Sequence, residues 1–154
     1  MYCFTAQDVL WLMLVAGFGS ILSQSQVRAD DRSEIETVLS RQAAAWNRGD
    51  IDAFMEHYWK SDELTFSSRG HTTRGWTRTK ENYKRRYPTR EQMGQLKFSQ
   101  LETTSLGDSA ALVLGRWQLM REQSPVEGNF TLVFRRIDNK WVIIHDHTSR
   151  ADAP

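Results

Sequence analysis

A carboxylate flanked by two histidines lies near the end of the chain, in the order His145, Asp146, His147. A carboxylate inside an apolar cavity has a raised pKa and can serve as a general acid or base. If its strand directs this side chain into such a cavity, Asp146 is the candidate catalytic residue. The alternative is a structural role, in which Asp146 pairs with a nearby arginine or caps backbone groups at the end of a strand.

The segment 140–149 is predicted to be a β-strand, so its side chains should alternate between two faces. One face is expected to carry Val142, Ile144, Asp146 and Thr148. The other is expected to carry Trp141, Ile143, His145 and His147. The Cα atoms of the two histidines should lie about 7 Å apart, so a metal ion would need further ligands to bridge them. We expect His145 and His147 to form hydrogen bonds or a subunit contact, and no metal site is predicted.

Aromatic residues are many, and most of their side chains must fill the core. A subset with polar heads is suited to line a ligand pocket. The predicted pocket residues are Tyr58, Trp59, Trp76, Tyr83, Arg116, Trp117 and Asp146. Arg116 and Trp117 are neighbours on a predicted strand, so both can point into the pocket only if a β-bulge intervenes.

Basic residues are concentrated between Arg69 and Arg90, where eight of them stand against one acid, Glu81. This cluster either steers an anionic ligand towards the pocket or forms a solvated helix face. The net charge of the whole chain is only +1, and no readout motif is present, so a nucleic-acid partner is not predicted. The chain also has no nucleophile elbow, phosphate loop or dinucleotide motif, so no cofactor is predicted.

Apolar spacing predicts three helices followed by a sheet. The helices are expected over 33–46, 51–59 and 76–87, with a short strand at 64–68 before the third. Four long strands are expected at 95–106, 110–122, 128–137 and 140–149, separated by turn-type pairs. Consecutive strands joined by such turns form an antiparallel meander, and the helices are available to cover one of its faces. The fold class is therefore α+β.

The first 29 residues have the pattern of a secretory signal peptide. An apolar run from Val9 to Leu22 is followed by Val27-Arg28-Ala29, which predicts cleavage after Ala29. Residues 30–154 would then form a single domain, exported to a periplasm or the medium, with no stable membrane span after cleavage. If the leader is not cleaved, the protein is anchored in the membrane.

Two motifs resemble those of the nuclear transport factor 2-like superfamily. Trp46–Phe54 resembles the W-x-x-G-D-x-x-x-F signature of its SnoaL-like members. Trp141–Ser149 resembles the closing strand W-x-I-x-H-x-H-x-S of calcium/calmodulin-dependent protein kinase association domains and of bacterial proteins of the domain-of-unknown-function 4440 type. The resemblance implies a cone-shaped, curved antiparallel sheet with three N-terminal helices, a fold also called cystatin-like. It also implies a homodimer formed through the outer face of the sheet.

The resemblance leaves the function open, because the superfamily includes isomerases, dehydratases, cyclases and assembly domains. Thr148 stands at the position where the kinase association domains have a pocket arginine, and this correspondence places Asp146 on the pocket side. No motif reproduces the catalytic triad of ketosteroid isomerase-like enzymes. Three hypotheses remain: an exported domain that binds a small hydrophobic or anionic molecule, a cofactor-independent enzyme with Asp146 as general base, and a dimeric assembly domain. An open pocket with Asp146 beside a tyrosine favours the enzyme, and a pocket filled by Trp117 and Phe134 favours assembly.

Overall fold

The computed structural model describes residues 29–122 and 125–151. Its helices are α1 (Ala29–Asn47), α2 (Ile51–Met55), α3 (Trp76–Arg86) and α4 (Arg90–Met93). Its strands are β1 (Thr65–Ser68), β2 (His71–Arg74), β3 (Gln95–Ser105), β4 (Ala110–Met120), β5 (Val126–Ile137) and β6 (Lys140–Thr148). The predicted leader lies outside the described residues, apart from Ala29, where α1 begins.

The strands form one curved, six-stranded sheet in the order β2-β1-β6-β5-β4-β3. Strands β3 to β6 form the predicted antiparallel meander, and the α+β class is confirmed. The sheet is not wholly antiparallel, however, because β1 pairs in parallel with β6. Strand β2 was not predicted, since its side chains are mostly exposed and show no apolar alternation. It pairs with β1 through a tight turn at Arg69 and Gly70, both of which have positive φ.

The two halves of the sheet face different surroundings. Near the turn at Asp138 and Asn139, the inner face is tightly packed by the helices, and Phe134 and Ile143 are fully buried there. At the opposite end of the same strands, the inner face carries side chains that surround a cavity. One end of the concave face is therefore solid core, and the other end is available for a ligand.

Helix α1 supplies most of the cover for the concave face. Ile35, Leu39 and Trp46 are buried as the helical spacing predicts. Its last turn is fastened to β3 because the Asn47 side chain both accepts from the Leu96 N–H, at 2.7 Å, and donates to the Leu96 carbonyl, at 3.0 Å. The one-turn helix α4 was not predicted from the sequence. These contacts fix the end of α1 at the rim of the cavity.

A β-bulge in β6 changes which residues share a face. Val133 pairs with His145 but Phe134 pairs with Ile143, so Ile144 is an extra residue on β6. Ile143 and Asp146 are consequently both buried on the inner face, although they are three residues apart. The prediction that Trp141 and Ile143 lie opposite Asp146 is therefore wrong, because strict alternation fails at the bulge.

Within the described ranges, no helix is both long enough and apolar enough to cross a membrane.

Candidate functional site

The cavity has a volume of about 640 Å³ and opens between the helices and the unpacked end of the sheet. This volume lies within the range of about 300–1,000 Å³ that is typical of small-molecule sites. Aromatic side chains form much of its wall: Trp46, Phe54, Tyr58, Phe66, Tyr83, Tyr87, Phe98, Trp117 and Phe130. The cavity is therefore large enough for a small organic molecule, and aromatic rings form a large part of its wall.

Asp146 is the acidic group of this wall, and it is only 4% exposed. Its Oδ2 atom accepts a hydrogen bond from the Tyr58 hydroxyl at 2.7 Å. Its Oδ1 atom accepts one from the Thr148 hydroxyl, also at 2.7 Å. Tyr58 comes from the segment after α2 and Thr148 from the end of β6, so two separate elements hold the carboxyl group in one orientation.

Burial raises the pKa of Asp146 from 3.8 to about 6, although the hydrogen bonds from Thr148 and Tyr58 act in the opposite direction. Burial, followed by the nearby charge of Asp146, holds the pKa of both Tyr58 and Tyr83 well above the ordinary value of 10.0. The two phenols therefore remain neutral donors near neutral pH. Asp146 changes its charge in the range where a general acid or base is most effective.

Trp46 anchors a cluster of rings beside the carboxyl group. Its ring meets Phe54, Tyr83 and Tyr87 edge to face, with centroids 5.3, 6.0 and 4.8 Å away. Its indole N–H donates to the Met93 carbonyl at 3.2 Å. The cluster joins α1, α2 and α3 along one wall of the cavity.

The structure brings four of the predicted pocket residues to the cavity, namely Tyr58, Tyr83, Trp117 and Asp146. Trp117 lies on the inner face of β4, and its indole N–H donates to the Ser149 carbonyl at 3.0 Å. This contact ties the wall to the segment that follows β6.

The other three predicted pocket residues are not among the residues that line the cavity. Arg116 points to the outer face, where it pairs with Glu127 at 2.5 Å, because no bulge separates it from Trp117. Trp76 donates its indole N–H to the Met55 carbonyl at 2.8 Å and lies beneath Lys80. Trp59 follows Tyr58 in an extended segment bridged to Ile143, so its side chain points away from the cavity.

Several cavity residues had no strong sequence signal. Gln42 lies in α1 outside the predicted apolar face, yet it is 1% exposed and lines the cavity. Its side-chain amide donates to the Phe54 carbonyl at 3.4 Å. Arg121 also lines the cavity, although it follows the last residue of β4 and lies outside the basic cluster of 69–90. The sequence-based prediction missed both residues because they are polar, and only apolar periodicity was available to identify the inner face.

His145 and His147 do not line the cavity. The Nδ1 atom of His145 lies 2.7 Å from the Thr65 hydroxyl, and burial lowers the pKa of this histidine. His147 is exposed on the outer side of the sheet. In residues 29–122 and 125–151, no group of three or more potential metal ligands is close enough to hold an ion.

The SnoaL-like domain family matches residues 35–153. An NTF-2 like protein of unknown function from Shewanella oneidensis MR-1 is 43% identical, with a TM-score of 0.74, over 77% of this chain and 98% of the other. No curated protein matches the sequence.

More distant solved structures share the fold. One is a protein of unknown function with a cystatin-like fold from Nostoc punctiforme PCC 73102, with a TM-score of 0.69 and 11% identity over 83% of this chain and 96% of the other. Another is a ketosteroid isomerase-like protein from Erwinia carotovora atroseptica SCRI1043, with a TM-score of 0.65 and 17% identity over 82% of this chain and all of the other, 100%. At these identities the likeness concerns the fold alone.

Proposed function

This chain belongs to the SnoaL-like domain family, and on that premise we propose that it binds a small organic molecule in the cavity around Asp146. The observation that carries the proposal is an aromatic-walled cavity of about 640 Å³ with one buried carboxyl group in its wall. An apolar wall supplies most of the binding energy of such sites, and a few fixed polar groups orient the ligand. Asp146, held by Tyr58 and Thr148, is the orienting group.

An assembly domain without a ligand is less well supported. That hypothesis expected Trp117 and Phe134 to fill the interior. Phe134 instead packs in the solid half of the sheet, and Trp117 forms part of the wall of an open cavity. A homodimer through the outer face of the sheet remains part of the proposal, because it does not compete with ligand binding on the inner face.

Native mass spectrometry of the protein purified from its own host tests the proposal. We expect one small organic molecule per chain, a polypeptide mass that begins at Asp30, and two chains per particle. The matched variant is Leu132→Trp, which places a larger side chain in the cavity wall. The mass of the bound molecule should be absent from this variant. A protein that remains ligand-free after incubation with a small-molecule extract of the host would contradict the proposed function. A mass that includes residues 1–29 would contradict cleavage of the leader but not ligand binding.

A second candidate function is proton transfer on the bound molecule, and the pKa of about 6 at Asp146 favours it. In this scheme the Asp146 carboxylate takes a proton from one atom of the ligand and returns it to another, without a cofactor. The Tyr58 proton is already donated to Asp146, so the neutral hydroxyl of Tyr83 donates the hydrogen bond to the ligand oxygen that becomes more negative. Isomerisation, dehydration and cyclisation all belong to this class of reaction.

Asp146→Asn separates a binder from an enzyme, because it keeps the shape of the side chain but removes the base. If the protein is an enzyme, we expect the turnover of the identified ligand to fall by about two orders of magnitude or more in the variant. Turnover is measured as deuterium uptake from the solvent. For a binder, the variant changes only the dissociation constant. Deuterium uptake that persists in the variant at the wild-type rate would exclude Asp146 as the base.

A further inference from the structure

We propose that the mouth of the cavity contains an oxyanion subsite, so that the ligand is a small soluble organic anion with an apolar body. The inference rests on the proposed function, because it specifies the ligand class of the same cavity. It arises from the arginines that line the cavity: Arg69, Arg85, Arg86, Arg121 and Arg150. Asp146 is the acid in the same lining, and it is occupied by Tyr58 and Thr148.

Two lysines of the basic segment are paired with an acid outside the cavity, whereas the arginines that line the cavity are not. Lys80 and Lys84 both pair with Asp52 on the outside of the helices, at 3.2 and 2.7 Å. In contrast, the five arginines of the lining form no ion pair with any carboxylate of the described residues. The positive charge at the cavity is therefore not neutralised by these parts of the protein, and it favours a negatively charged ligand.

Two of these arginines meet at one ring. The guanidinium carbons of Arg86 and Arg121 lie 5.7 and 5.9 Å from the centre of the Tyr87 ring, which also lines the cavity. The ring supports both groups by cation–π contact. Because α3 contributes Arg86 and the end of β4 precedes Arg121, the subsite spans the helical layer and the sheet.

Arg121 also carries an unsatisfied donor. Its Nε atom is buried and has no hydrogen-bond partner among the described residues. A buried N–H group without an acceptor is unfavourable, and a guanidinium group binds carboxylate, sulfonate or phosphate oxygens through paired N–H donors. Because this Nε atom is closed to solvent in its present position, a rotation of the Arg121 side chain towards a ligand oxyanion at the mouth would satisfy the donor.

The wall next to the arginines is apolar. Leu119, Val126, Phe130 and Leu132 line the cavity on β4 and β5. A ligand that fits the subsite therefore has an oxyanion at the mouth and a ring or branched hydrocarbon body in the interior. A free inorganic ion would leave this wall unoccupied.

Two fluorescent dyes with the same skeleton test the subsite. 8-Anilinonaphthalene-1-sulfonate carries a sulfonate, and N-phenyl-1-naphthylamine lacks it. We expect the double variant Arg86→Ala/Arg121→Ala to weaken binding of the sulfonate dye about tenfold, while the affinity for the neutral dye changes less than about twofold. Rising salt should weaken only the sulfonate dye. Arg78→Ala, an exposed arginine of α3 outside the cavity, is the matched control and should affect neither dye.

The dye measurements distinguish a failure of the oxyanion subsite from a failure of ligand binding in the cavity. If both dyes bind but the ratio of their affinities is the same in wild type, double variant and control, the oxyanion subsite is wrong and the proposed function stands. If neither dye binds to folded wild-type protein, the proposed function itself is contradicted. Near-ultraviolet circular dichroism verifies the fold of each variant. Should the first double variant fail to fold, Arg86→Gln/Arg121→Gln removes the same two charges and keeps more of the side-chain volume, and an unchanged affinity ratio there overturns the subsite.

Discussion

Replacing Trp46 by alanine is expected to lower the free energy of unfolding by about 3–5 kcal/mol. Trp46 is 2% exposed and contacts rings from α2 and α3, while its indole N–H donates to the Met93 carbonyl. The substitution leaves a space that the surrounding side chains can close only in part. It also leaves the Met93 carbonyl without its indole donor. Chemical denaturation monitored by far-ultraviolet circular dichroism measures the loss.

Trp59→Ala is the matched control for this prediction. Trp59 is only half-buried and lies outside both the ring cluster and the cavity lining. We expect its replacement to cost clearly less than that of Trp46, since less surface becomes unpacked. Equal losses in the two variants would mean that the ring cluster is not the structural support of the cavity wall.

Asp146→Asn is expected to remove a pH dependence of stability worth about 3 kcal/mol in total. The folded-state pKa of about 6 lies above the ordinary value of 3.8, so the folded protein binds this proton more tightly than the unfolded chain does. The stability contributed by the protonated group is fully present below about pH 4, and it is lost as the pH rises through 6. Asparagine cannot ionise, so the variant lacks this loss.

The measurement is the difference in unfolding free energy between wild type and variant at several pH values. Relative to Asp146→Asn, the wild type should lose about 2–3 kcal/mol between pH 4 and pH 7. Taking the difference cancels the contributions of groups that do not interact with Asp146. The groups that do interact with it are His147 and the phenols of Tyr58 and Tyr83. Asp108→Asn, in an exposed turn, is the control for the effect of an aspartate-to-asparagine substitution outside the cavity. A flat difference for Asp146 itself would show that its carboxyl group is solvated.

The fold was largely predictable because its strongest determinants are local. Helical apolar spacing identified the buried face of α1, with Ile35, Leu39 and Trp46. Asp138 and Asn139 both adopt positive φ, as a two-residue hairpin turn of type I′ requires, and residue type alone indicated that turn. The parallel pairing of β1 with β6 was not predictable in the same way, since it depends on where two distant segments meet.

The candidate site was predictable only in part. Asp146, Tyr58, Tyr83 and Trp117 do line the cavity, but the role of Asp146 in catalysis stays a prediction. The bulge at Ile144 has no marker such as glycine in the sequence, and it arises from the pairing of β6 with β5.

Polar side chains account for most of the remaining errors. Periodicity identifies apolar faces, so it could not place Gln42 or Arg121 inside, and it could not exclude Trp76. Trp76 satisfies its indole N–H at the end of α2, a capping contact that depends on tertiary structure.

Intermolecular nuclear Overhauser effects between N-phenyl-1-naphthylamine and leucine methyl groups test the central claim most directly. If the cavity is the binding site, the dye protons should show contacts with the methyl groups of Leu96 and Leu132, which line it. Leu112 and Leu114 occupy the outer face of the same sheet and provide the comparison within one sample. Contacts confined to Leu112 and Leu114 would contradict ligand binding in the cavity around Asp146.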